Sequence, residues 1–177
     1  MDHGLLIVYT GNGKGKTTAA LGMALRASGY GWKVAVLQFV KEEAWPSGER
    51  AVIRKNLKNI HIEALGSGFV GIMGDKKPRD VHRKKAQYAL KKVGDVLGDE
   101  TYQLVILDEL LGALRGRLVM RKDVESILRQ KPEPTHLVLT GRHAPKWLVA
   151  RADLVTEMKE IKHPFSTGRQ ATKGIDF

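Results

Sequence analysis

A chain of 177 residues, 42% hydrophobic and 28% charged, suits one globular domain spanning 1–177 and is neither disordered nor fibrous. It has no cysteine, which excludes a disulfide scaffold, a thiolate zinc site, an iron–sulfur cluster and a cysteine nucleophile. Thirty Lys and Arg against 19 Asp and Glu give a net charge of +11, which favours anionic partners without choosing among nucleic acid, membrane headgroups, phosphorylated ligands and acidic proteins.

Residues 5–9 form a continuous apolar run, too short for a signal-peptide core, and read as a buried strand. No stretch approaches the roughly 18 apolar residues of a membrane span, so a soluble cytoplasmic protein is expected. Next comes Thr10-Gly11-Asn12-Gly13-Lys14-Gly15-Lys16-Thr17-Thr18, then a helix expected over 17–28 with Gly29 as its stop. A glycine loop between a strand and a helix is the setting of a P-loop. Its glycines let successive N–H groups turn inward around an anion, and the helix N-terminus adds its dipole. Lys16 supplies a charge to phosphate oxygens and Thr17 a hydroxyl to Mg²⁺. The plainer reading, a glycine turn capping an ordinary helix, leaves the two lysines unexplained. Thr10 stands where the general pattern has its first glycine.

Residues 34–39 make a second strand, 49–57 a short helix, and 60–65 alternate as an edge strand does. Residues 66–74 interleave four glycines with Phe69, Val70, Ile72 and Met73. This segment is either a flap laid on a large apolar ligand or partner, or a loop tucked onto the core. Asp80 is placed to cap a helix with the apolar stripe Val81, Ala86, Ala89, Leu90, Val93 and Leu97. The basic run Lys76, Lys77, Arg79, Arg83, Lys84, Lys85, Lys91 and Lys92 reads best as a solvated face, since no aromatic stacking pattern interrupts it.

Residues 104–107 form a buried strand that delivers Asp108 and Glu109 to the rim of the cradle, where both can serve Mg²⁺. Residues 136–140 are another strand, followed by Arg142, either a phosphate contact or a surface arginine. Residues 153–155 begin a last strand, and 159–177 show no assignable pattern. The six histidines lack metal-ligand spacing. Short apolar strands separated by helices describe an α/β domain of P-loop NTPase type, RecA-like, with a mostly parallel sheet of about six strands flanked by helices. Right-handed crossovers put the strands' C-terminal ends on one ligand-binding rim.

Together these blocks resemble the P-loop corrinoid adenosyltransferases, the CobA/CobO/BtuR family. The likeness is carried by residues 8–22, Gln38-Phe39-Val40-Lys41, Trp45, Gly48-Glu49, Leu107-Asp108-Glu109, Leu139-Thr140-Gly141-Arg142, residues 152–158, Lys162-His163-Pro164-Phe165 and Lys173-Gly174-Ile175-Asp176-Phe177. The family also has Thr at the Thr10 position. The resemblance implies transfer of the 5′-deoxyadenosyl group of ATP to the Co(I) centre of a reduced corrinoid, releasing triphosphate, in adenosylcobalamin synthesis or salvage. It implies Lys16 and Glu109 as catalytic residues, Thr17, Asp108 and Glu109 at Mg²⁺, and Asn12 near the ribose. It also implies Phe69, Val70, Ile72 and Met73 against the corrin, an acidic electron donor such as a flavodoxin, and a homodimer. Three features depart from the family pattern, one being that many members carry an N-terminal helical extension over the corrinoid whereas this chain starts almost at the first strand. Gly71 stands where a flap Trp is common, and Leu110-Leu111-Gly112 follow Asp-Glu where a polar residue and Tyr are common. The alternative reading is a RecA-like ATPase acting on nucleic acid, although no nucleic-acid-binding module is recognisable.

Overall fold

The computed structural model describes residues 3–68, 70–71 and 75–176. Its strands are β1 (Leu6–Thr10), β2 (Val34–Gln38), β3 (Ile60–Ala64), β4 (Leu104–Asp108), β5 (His136–Thr140) and β6 (Leu154–Glu157). They form one sheet in the order β3-β2-β4-β5-β1-β6. Every pairing is parallel, so the expected mostly parallel sheet is wholly parallel among the described residues.

The central strands are apolar at almost every position because both faces are covered. Leu6, Val8, Leu37, Val105, Leu107, Leu137 and Leu139 point to one side, beneath α3 (Arg79–Gly98) and α5 (Arg121–Gln130). Ile7, Val34, Val36, Ile106 and Val138 point to the other, beneath α1 (Lys16–Gly29) and Ile53 of α2 (Gly48–Asn56). The period of two along each strand thus feeds two cores at once. α1 meets the sheet through Ala20, Ala24 and Ala27, small residues that let its axis lie close. β3 is an edge strand, as its alternation implies.

Two expectations need correction. Pro78, not Asp80, is the N-cap of α3, and Asp80 sits in the first turn, where its charge suits the helix dipole. Val81 is 39% exposed and His82 only 2%. The buried stripe is His82, Ala86, Ala89, Val93 and Leu97, a regular helical spacing from which Val81 is rotated by about a quarter turn. β6 is an edge strand with all four residues exposed, because it has β1 on one side and no strand on the other.

The sequence pattern also passes over three helices: α4 (Leu110–Arg115), α5 and α6 (Lys146–Val149). α4 starts directly at the end of β4, with no cap side chain to announce it. α5 begins after Met120, whose N–H donates to the Asp123 carboxylate at 2.8 Å. No described helix is long and apolar enough to cross a membrane.

Candidate functional site

The cradle is built where β1 ends. Gly11 has φ +98, and a Cβ on it would lie 2.3 Å from the Met158 carbonyl oxygen. Only glycine fits that conformation beside that backbone. The chain leaving β6 is what presses there. Met158 N–H donates to the Thr10 carbonyl at 2.8 Å, and Gly13 N–H donates to the Met158 carbonyl at 2.8 Å. Gly15, at φ +115, then turns the chain into α1.

Lys16 is buried, and its Nζ donates to the carbonyls of Gly11 at 2.9 Å and Gly13 at 2.6 Å. Burial lowers its pKa, Glu109 opposes that, and Arg142 adds to it. The ammonium is therefore folded onto its own loop, held by neutral carbonyls that a phosphate oxygen would outcompete. Residues 12–18 line a cavity of about 750 Å³, with Lys41, Glu49, Glu109 and Arg142 further along its wall.

Asp108 lies one layer behind the cradle, buried at the end of β4. Its Oδ1 accepts from Thr17 Oγ1 at 2.7 Å and Thr140 Oγ1 at 2.7 Å, and its Oδ2 accepts from Gln38 Nε2 at 3.1 Å. The parallel register sets Gln38 opposite Asp108 and brings Thr140 to the end of the next strand. Gln38 Oε1 is buried with no partner among the described residues. Thr140 Oγ1 also accepts the Glu109 N–H at 2.9 Å.

Glu109 adopts φ +59, a left-handed conformation that costs a non-glycine residue about 1–3 kcal/mol. This turn starts α4 while leaving the Glu109 side chain on the wall of the cavity. Burial pushes its pKa up, as does the charge of Asp108, while Lys16, Arg142 and Lys41 pull it down. Gly112 gives the carboxylate room: a Cβ there would lie 3.0 Å from Glu109 Oε2. The Leu110-Leu111-Gly112 departure is thus two buried core residues and a space for Glu109.

A second cavity of about 590 Å³ is lined by Phe39, Val40, Leu118, Ser67, Gly68 and Val70. Glu109 and Arg142 line it too, so the two cavities meet at that pair. Val70 is 39% exposed and faces this cavity rather than the core. Phe69, Ile72 and Met73 lie outside the described residues.

Residues 12–18, Glu109 and Arg142 therefore share one cavity, Asp108 touches Thr17 from behind, and Val70 belongs to the adjoining cavity. The sequence pattern missed several others. Gln38, Lys41, Glu49, Thr140 and Asp176 stand in blocks that carry the family resemblance, but the sequence pattern gives them no role. Lys41 and Glu49 pair at 2.5 Å in the cavity wall. Lys14 pairs with Asp176 at 2.6 Å, which brings the C-terminal segment across the cradle. The basic run on α3 is a largely solvated face, as expected.

Over residues 2–177 the chain matches the family described as ATP:corrinoid adenosyltransferase BtuR/CobO/CobP. It is 43% identical over 178 residues to a corrinoid adenosyltransferase of Sinorhizobium sp, covering 99% of this chain and 81% of that protein. It is 39% identical over 176 residues to a corrinoid adenosyltransferase of Pseudomonas aeruginosa, covering 99% and 85%. With the corrinoid adenosyltransferase CobA of Salmonella typhimurium the identity is 34% over 176 residues, covering 99% and 87%.

Proposed function

The chain belongs to the ATP:corrinoid adenosyltransferase family BtuR/CobO/CobP, and from that premise we propose how its residues divide the work. It transfers the 5′-deoxyadenosyl group of ATP to a reduced corrinoid. The Co(I) electron pair forms the bond to C5′, the C5′–O bond breaks, and its electrons leave on triphosphate. Such a nucleophile carries no proton, so no general base is needed. What the protein must supply is alignment and a stabilised polyanionic leaving group.

The observation that carries the assignment is the meeting of the two cavities at Glu109 and Arg142. Triphosphate lies in the cradle, on the N–H groups of residues 14–18 and on Lys16. Lys14 is available to it once released from Asp176. The corrin lies in the second cavity, against Val70 and, by the family resemblance, Phe69, Ile72 and Met73. C5′ then sits at the junction, where Arg142 accompanies the departing negative charge.

The site suits Mg²⁺. Thr17 and Asp108 offer hard oxygen donors 2.7 Å apart at the inner end of the cradle, with Glu109 next in the chain. Among the described residues no cluster of three or more acidic or histidine side chains holds a metal alone, so the ion would share phosphate oxygens. When bound, it would neutralise part of the charge on the leaving triphosphate. The solvated basic face of α3 offers a surface of the charge that an acidic electron donor needs. The nucleic-acid ATPase reading has no support: all three relatives are named corrinoid adenosyltransferases.

Val70→Trp, which adds bulk on an exposed wall position, tests the division. It is expected to raise the KM for reduced cobalamin about tenfold and leave the KM for ATP within about twofold. A rise in the ATP KM alone would place the corrin elsewhere.

A further inference from the structure

Ser67, His82 and Asp75 stand in a chain of hydrogen bonds at the wall of the second cavity, which Ser67 and His82 both line. Ser67 Oγ lies 2.9 Å from His82 Nδ1, and His82 Nε2 lies 3.0 Å from Asp75 Oδ2. The side chains of His82 and Asp75 are 1% and 9% exposed. A carboxylate only accepts, so Nε2 carries the ring proton and Nδ1 accepts from the Ser67 hydroxyl. Both ring nitrogens are thereby used within the protein, which leaves neither free to bind a ligand.

The chain ties down one stretch of backbone from both ends. Asp75 Oδ2 also accepts the Gly71 N–H at 2.9 Å, and its Oδ1 accepts the Lys77 N–H at 3.1 Å. Lys77 Nζ reaches back to the Ser67 carbonyl at 2.9 Å and also pairs with Glu42. Ser67, Gly68 and Val70, which line the second cavity, are thus tied through Ser67 and Gly71 to His82 on α3. A Ser-His-Asp chain can also activate a nucleophile, but two of the neighbouring N–H groups are spent. Gly68 N–H donates to Val40 at 2.9 Å and Gly71 N–H to Asp75, so neither serves an oxyanion.

We propose that Ser67, His82 and Asp75 are positioning residues for the corrinoid, a clasp in which buried His82 fixes the wall that the corrin ring packs against. This rests on the assignment of the second cavity to the corrinoid. The clasp replaces bulk with placement: Gly71 has no side chain to press on the ring, so the position of the wall itself must be held.

The test is steady-state kinetics of the full chain with ATP and chemically reduced cobalamin. His82→Ala is expected to raise the cobalamin KM about tenfold while the ATP KM stays within about twofold. Ser67→Ala is expected to raise it about threefold to fivefold, and the Ser67→Ala/His82→Ala pair to match His82→Ala alone, because both act through one ring. If His82→Ala does not fold, Ser67→Ala decides, since it deletes a single hydroxyl. A cobalamin KM within about twofold of the parent in the folded variants, equal rises in both KM values, or additive effects would overturn the clasp. If Val70→Trp still raises the cobalamin KM in that case, the cavity assignment stands without it. If Val70→Trp has no effect on that KM, both fall together.

Discussion

Replacing Lys16 with alanine is expected to lower adenosyl transfer by about 10²–10³, the scale for removing one preorganised donor from developing negative charge. ATP affinity should fall as well, since a charge-assisted contact is worth about 1.5–3 kcal/mol. The ligand-free protein should be little affected. Lys16 is held by two loop carbonyls, and its burial is itself unfavourable for the charged form. Thermal unfolding separates these effects. The parent should gain melting temperature on adding ATP by the usual mass-action stabilisation, and Lys16→Ala should gain far less at the same concentration. Normal turnover with a normal ATP-induced shift would remove Lys16 from the site.

Asp108→Asn isolates charge from hydrogen bonding. Asp108 accepts three donors, from Thr17, Thr140 and Gln38, while Gln38 Oε1 has no partner among the described residues. In the variant the new amide oxygen keeps the two hydroxyls. A flip of Gln38 then turns its orphaned Oε1 toward the new amide nitrogen. The fold should therefore survive, with a stability change of about 1 kcal/mol or less. Turnover should nonetheless fall by about 10², because the carboxylate charge beside Thr17 is gone. The Mg²⁺ concentration needed for half-maximal rate should rise. Activity within about threefold of the parent, with unchanged Mg²⁺ dependence, would mean that Asp108 only ties strands together.

The phosphate cradle is legible in the sequence because its chemistry is local. Gly11, Gly13, Gly15, Lys16 and Thr17 lie within one turn of chain, and the strand before and helix after them are equally plain. Asp108 and Glu109 are legible for a similar reason, as acids ending an apolar strand. What supports them is not local. Gln38 reaches Asp108 across 70 positions, and Lys14 meets Asp176 across 162. Such pairs depend on strand order and on the path of the C-terminal segment, which composition and periodicity do not encode. His82 shows the other kind of failure. The hydrophobic pattern placed Val81 on the buried stripe, because that stripe is read from apolar residues alone. Ser67 and Asp75 remove the cost of burying a histidine there by meeting both ring nitrogens. The polar residue in the wrong place on the stripe was therefore the signal of a built contact.

The bond of ATP that breaks is the most direct measure of the central claim. ATP, Mg²⁺ and chemically reduced cobalamin are incubated with the protein, and the phosphate products are separated. Transfer to cobalt breaks the C5′–O bond, so triphosphate should appear in step with a light-sensitive cobalt–carbon product, with no ADP. ADP and orthophosphate formed without corrinoid, and stimulated by DNA or RNA, would contradict it.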